Sequence, residues 1–163
     1  MTLNLSPAIE VRVLDKRIED WGLPRYRSEL AAAIDLHACI GEDVVLEAGS
    51  PAVLVSAGIA IHIADPNIAA VILPRSGLGH KRGLVLGNLQ GLIDADYQGG
   101  LMISAWNRNP PGTEPIRIQP GDRIAQMMFV PIVRPTFEVV EDFSSGTARK
   151  SGGFGSTGYA AGE

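Results

Sequence analysis

Apolar residues along this chain recur at every second position over short stretches and almost nowhere at helical spacing. Val11 and Val13 alternate with Arg12, and Ile34, Leu36 and Ala38 alternate with Asp35 and His37. Val44 to Leu46, Ala52 to Val55, Ile59 to Ile63 and Ile68 to Leu73 follow at short intervals. A two-residue period marks a strand with one buried face, and turn residues between such runs predict a sandwich or closed barrel rather than βαβ units. The fold class read from this pattern is all-β. From Gly87 to Trp106 it predicts strand, turn, strand: Leu89, Leu92 and Ile93 lead in, and Leu101, Ile103 and Ala105 leave on alternate positions. Asn107 to Pro120, with Pro and Gly among polar residues, predicts an exposed loop that tolerates change. Gly121 to Gln126 then opens the longest apolar run, Met127 to Val133, whose Pro131 predicts an edge or a bend. Val139 and Val140 close the folded part, so the domain is expected over 1–143 with a tail over 144–163, whose composition cannot build a core.

Composition narrows the classes. A chain of 163 residues can bury a real core as one domain, and its 19 Gly and 11 Pro are scattered as punctuation. The single Cys39 cannot form an internal disulfide, which suits a reducing cytoplasm. His37, His62 and His80 lie far apart in sequence and read as surface or strand residues rather than zinc ligands. No apolar run approaches a membrane span and the first ten residues lack a signal-peptide pattern, so no membrane partner is expected. A formal charge of −4 argues against a broad nucleic-acid surface, and any bound anion needs positive charge concentrated locally.

Three segments carry candidate chemistry. The stretch around Asn88, Asp94, Asp96 and Tyr97 groups an amide, two carboxylates and a phenol between apolar runs, as a pocket wall would, although Asp and Gly are also ordinary turn formers. In an extended segment Asp94 and Asp96 would face the same way and repel, raising the pKa of at least one, which suits a general base. Pro74 to Lys81 places small and basic residues after an apolar run. Its amides can face an anion, or it can be a surface connector with a short helical turn capped by Ser76. In the tail, Arg149, Lys150 and Phe154 lie among residues whose amides can wrap a phosphate and whose aromatic can stack on a base; a disordered terminus is the alternative. Gly153, Gly155 and Gly158 match the dinucleotide pattern G-x-G-x-x-G, but without the strand before it and the helix after it that the mechanism requires.

Taken in order, five segments resemble the trimeric deoxyuridine triphosphatases (dUTP diphosphatases). Ala32-Ala33-Ile34-Asp35-Leu36-His37-Ala38 looks like the family's first motif and Pro74 to Lys81 its second. Gly91-Leu-Ile-Asp-Ala-Asp-Tyr-Gln-Gly99 looks like the third, Gly121 to Gln126 the fourth and Arg149 to Gly158 the fifth. The resemblance implies a β jelly-roll subunit, a homotrimer with sites shared between chains, and a C-terminal tail that closes each site. It implies hydrolysis of dUTP to dUMP and pyrophosphate, keeping uracil out of DNA and supplying dUMP for thymidylate synthesis. By resemblance Asp94 is the base that deprotonates the attacking water, Gln126 positions the α-phosphate and water, and Ser76 contacts the α–β bridging oxygen. Arg75 and Arg149 supply positive charge to the triphosphate, and Gly77, Gly91, Ile93 and Met102 fall among the substrate-binding positions. Main-chain groups of the turn segment and Asn88 meet the pyrimidine edge, and Tyr97 lies under the sugar. Phe154 resembles the aromatic that caps the uracil, with Gly155, Ser156 and Thr157 over the terminal phosphate. Mg²⁺ is then held mainly by substrate oxygens, with Asp35 on one of its waters. Ala33 departs from the usual glycine, so a positive φ there would be strained; Lys150 and Ser151 also depart. A dCTP deaminase of the same fold would need a glutamate on the strand after the turn, and Leu101 to Trp106 carries none.

Overall fold

The structure is a computed structural model that describes residues 7–147. Met1–Val133 and Arg134–Glu163 form two compact units. The first holds all the regular structure described: β1 (Glu10–Val13), α1 (Arg17–Trp21), β2 (Ile34–His37), β3 (Val44–Leu46), β4 (Val53–His62), β5 (Ile68–Pro74), α2 (Ser76–Arg82), β6 (Leu84–Leu86), β7 (Gly91–Ile93), β8 (Gly100–Asn107), β9 (Ile116–Ile118) and β10 (Arg123–Pro131). Two four-stranded sheets, ordered β1-β4-β8-β6 and β2-β10-β5-β7, and a small β3-β9 pair are antiparallel throughout. Their inner faces share one core, with Val55, Ile59, Leu101 and Ile103 from one sheet and Leu36, Ile72 and Met127 from the other. This is the all-β architecture that the alternation predicts, in the jelly-roll-like form that the family resemblance implies. On β8, Leu101, Ile103, Ala105 and Asn107 are buried while Met102 is exposed, a two-residue period along its length.

Several local expectations change. The runs Ala52 to Val55 and Ile59 to Ile63 are one strand, β4, because Gly58 bends the chain without ending it. Gly58 has φ +73°, donates its N–H to Ser56 Oγ at 3.0 Å, and lies where the register against β8 shifts. A Cβ there would sit 2.5 Å from Cys39 Sγ. Gly58→Ala is therefore expected to destabilise the fold by roughly 2–4 kcal/mol, from backbone strain and overpacking together. A urea midpoint equal to that of the unsubstituted protein would show that the bend tolerates a side chain.

The stretch from Gly87 to Trp106 does contain two strands, but they are not a hairpin. β7 pairs with β5 and β8 pairs with β4 and β6, so the turn between them crosses from one sheet to the other. The loop expected from Asn107 to Pro120 contains β9, with Ile116 and Ile118 buried. Asn107 is 1% exposed and donates from Nδ2 to the Leu46 carbonyl, so this segment is pinned at both ends and does not tolerate change freely. α1 and β6 are additions to the predicted set. Pro131 ends β10 opposite Ile68, beyond the part of β10 that β2 covers, and so leaves no interior ladder bond broken. Val139 and Val140 do not close a core: residues 134–147 carry no helix or strand, and Val139 is fully exposed.

Candidate active site

Two clusters of candidate residues flank β5, one on the second sheet and one between β7 of that sheet and β8 of the first. The first forms where β2, β10 and the end of β5 meet. Gln126 is in register with Asp35 on β2 and with Leu73 on β5, and directly opposed residues of antiparallel strands point to the same face. Gln126 Nε2 donates to the Pro74 carbonyl at 3.0 Å, which leaves its Oε1 as an acceptor. Arg75 follows β5 directly. Its Nε lies 3.0 Å from Asp35 Oδ1 and its NH1 donates to the Arg123 carbonyl at 2.8 Å, so the guanidinium is held at two points.

Asp35 is the hub of this corner. Its side chain is 13% exposed, its Oδ2 accepts from Arg123 NH1 at 2.8 Å, and Arg27 Nε lies 3.7 Å from the same oxygen. Three guanidinium groups thus surround one carboxylate. His37, two residues along β2, is 5% exposed, and burial first, then the positive charge of Arg27, holds it below the usual imidazole range. It is therefore neutral at pH 7, and its Nδ1 has no hydrogen-bond partner among the described residues. Arg27 does not stand out in sequence. Arg123 lies inside the Gly121 to Gln126 segment, which was a usable signal, whereas Arg27 carries none.

Ser76 and Gly77 are exposed at the start of α2. Ser76 is the first helical residue rather than the cap: Arg75 occupies the cap position and no side-chain cap bond forms. The Ser76 hydroxyl is therefore not spent on the helix end. Ala33 is absent from the non-glycine residues with positive φ, so the strain conditional on that conformation does not arise.

The second cluster lines a cleft of about 260 Å³ formed by Ile72, Asn88, Gly91, Ile93, Asp94, Tyr97 and Met102 with Leu92, Gly100 and Leu101. Among the described residues β7 is the outer strand of its sheet, with one side of its backbone unpaired and available to a ligand. Asp94 is exposed and begins a turn closed by the Tyr97 N–H on the Asp94 carbonyl at 3.1 Å; the Ala64 N–H anchors the Ala95 carbonyl at 3.0 Å. This turn ends the extended geometry that would align Asp94 with Asp96. Tyr97 donates its hydroxyl to the Gly100 carbonyl at 3.1 Å, and its ring lies where a side chain at Gly99 would collide. Leu89, beside Asn88, holds φ +64°, an uncommon conformation for a branched side chain and a mark of local strain.

One chain does not bring the clusters together. Ile93 is opposite Ala70 on β5 and Gln126 is opposite Leu73. Three positions along a strand and two strand spacings across put their backbones about 14 Å apart, and the chain at Asp94 continues away from Pro74. Another cleft, about 490 Å³, lies elsewhere, between β1, residues 24–26 and the β2/β10 face; its lining is mostly apolar and includes no carboxylate. Arg149, Phe154, Gly155, Ser156 and Thr157 lie outside the described residues.

Comparison with known proteins gives a consistent set of relatives. A family model described as dUTPase matches residues 19–158. A deoxyuridine 5'-triphosphate nucleotidohydrolase of Cronobacter sakazakii is 56% identical over 151 residues, covering 92% of this chain and 96% of that protein. Its Escherichia coli namesake is 56% identical, covering 92% and 97%. Among solved structures, a Staphylococcus bacteriophage 80alpha dUTPase mutant with dUpNHpp superposes with a TM-score of 0.81 at 28% identity, over 94% of this chain and 100% of that one. A mutant dUTPase from phage phi11 of S. aureus, described as revealing the coordination of a structural Mg(II) ion, superposes with a TM-score of 0.74 at 26% identity, over 85% and 99%.

Proposed function

The chain belongs to the dUTPase family, its reaction is the hydrolysis of dUTP to dUMP and pyrophosphate, and we propose that Asp94 is the base, at a site completed by neighbouring subunits. The observation that carries this reading is the division of the candidate residues: a carboxylate cleft and an arginine corner, about 14 Å apart in one chain. A homotrimer that sets the cleft of one subunit against the corner of another makes a whole site from two halves. Large exposed apolar side chains in the single chain, Phe137, Val139 and Phe143 among them, fit a surface that such an assembly covers.

The chemistry follows from the groups available. Asp94, exposed on a fixed turn, accepts a proton from water as its oxygen forms a bond to the α-phosphorus and the bond to the bridging oxygen breaks, releasing pyrophosphate. Gln126 Oε1 accepts from that water and orients it, and the second Nε2 hydrogen, not used on the Pro74 carbonyl, can donate to the α-phosphate. Ser76, free of a capping duty, donates to the bridging oxygen where charge develops, and Arg75, held at two points, needs little reorganisation to stabilise it. The open backbone of Gly91 to Ile93 and the Asn88 amide read the pyrimidine edge. Tyr97 packs under the sugar and excludes a 2′-hydroxyl, and Met102 completes the cleft wall.

Among the described residues no group of three or more His, Cys, Asp or Glu could cage a metal. Mg²⁺ would then be held mainly by the substrate's own oxygens, with Asp35 the residue to hold one of its waters, and would supply neutralisation of phosphate charge. From the family resemblance, Arg149 and Gly155, Ser156 and Thr157 cover the phosphates and Phe154 the base, a C-terminal tail closing the site. The lone buried Cys39 fits a reducing cytoplasm.

Pyrophosphate release from dUTP, set beside UTP, dTTP and dCTP with and without Mg²⁺, tests the reading. Turnover of dUTP is expected to exceed that of each competitor by about 10³-fold or more, since a mismatched pyrimidine edge leaves buried polar groups unpaired. Equal turnover of dCTP would refute backbone recognition at β7.

A further inference from the structure

We propose that Arg27 is a further phosphate-binding residue of this site, meeting the β- and γ-phosphates of the triphosphate; this rests on the activity and site given above. Asp35 offers two oxygens to three guanidinium groups. Arg75 takes Oδ1 at 3.0 Å and Arg123 takes Oδ2 at 2.8 Å, whereas Arg27 Nε stands off at 3.7 Å, beyond hydrogen-bond distance. Among the described residues Arg27 is thus held at this corner by charge, with no hydrogen bond from its guanidinium. Among the described residues it makes no other ion pair.

The charge balance points the same way. Three cations and one carboxylate leave two positive charges unmatched, in a protein whose formal charge is −4. Concentrating like charges is unfavourable in the empty site and becomes favourable when a polyanion arrives. Arg75 is tied to Asp35 and to the Arg123 carbonyl beside Ser76, which suits the α-phosphate and the bridging oxygen. Arg27 lies between α1 and β2, where the chain has no helix or strand, and its side chain is 39% exposed. It is the member of the trio freest to move onto the phosphates beyond. A planar guanidinium also matches two phosphate oxygens at once.

The test compares binding of the imido analogue dUpNHpp with binding of dUMP, which lacks the outer phosphates. The proteins are the full chain, Arg27→Ala, Arg27→Lys and the charge-matched control Arg12→Ala, whose residue is exposed on β1. Arg27→Ala is expected to weaken dUpNHpp about tenfold and dUMP by less than about twofold, as loss of one charge-assisted contact to the outer phosphates requires. The difference should shrink as salt rises, Arg27→Lys should recover part of it, and Arg12→Ala should bind as the unsubstituted chain does. Equal weakening of both ligands would mean that Arg27 acts through the fold, and unchanged dUpNHpp binding would mean that it never meets phosphate; either result overturns the proposal. If the unsubstituted chain neither binds dUpNHpp nor cleaves dUTP, the underlying activity fails instead, which separates the two failures.

Discussion

Asp94→Asn is expected to lower the rate of pyrophosphate release by about 10²–10⁴-fold while dUpNHpp affinity stays within about threefold. Asparagine keeps the shape of the side chain and can still accept a hydrogen bond from water, but it cannot take the proton, so the loss falls on turnover and not on binding. The turn that presents residue 94 depends on main-chain bonds, from the Tyr97 N–H to the Asp94 carbonyl and from the Ala64 N–H to the Ala95 carbonyl. Because the side chain is exposed, stability should change by no more than about 0.5 kcal/mol. Steady-state kinetics, analogue binding and a urea titration on the same preparation separate these effects. A variant that released pyrophosphate at the unsubstituted rate would move the base elsewhere. One that lost dUpNHpp binding would make residue 94 a contact to substrate in the ground state.

Alternation proved a good guide where strands are long enough to show it. β8, with Leu101, Ile103 and Ala105 inward, and β2, with Ile34 and Leu36 inward, can be read from local pattern because a two-residue period is a local property. β6 and β9 are three residues each and supply only two inward side chains, Leu84 with Leu86 and Ile116 with Ile118, too few to stand out among neighbouring Gly and Pro. The β7–β8 crossing was illegible for a different reason. Nothing in the spacing of Ile93 and Leu101 says that they enter different sheets, since that choice is made by distant partners on β5 and β4. The site divides in the same way. Asp94, Gln126, Ser76 and Asn88 could be picked out by residue type and motif, but the clasp on Asp35 arises from pairing β2 with β10, some ninety positions apart in the chain. Arg27 joins from a segment with no pattern of its own.

Asp35→Asn should therefore cost more than its place outside the chemical step suggests, lowering kcat/KM for dUTP by about 10–100-fold. An amide in this position offers one acceptor where the carboxylate served Arg75, Arg123 and Arg27, and its NH₂ group would face a guanidinium donor. Arg75 would keep only its bond to the Arg123 carbonyl, and three cations would repel without a counter-charge. The fold should weaken by roughly 1–2 kcal/mol, less than for a fully buried pair because the arginine side chains are 30–43% exposed and solvent screens their repulsion. The route of the loss can be read from its response to metal. If Asp35 acts by orienting arginines, raising Mg²⁺ leaves the deficit in place; full recovery at high Mg²⁺ would show that its main duty is to a water of the ion's shell. Asp35→Glu supplies the second arm: it restores the charge but displaces the carboxylate by one methylene, so partial recovery of kcat/KM is expected if electrostatic balance matters, and none if only the geometry of the Arg75 contact counts.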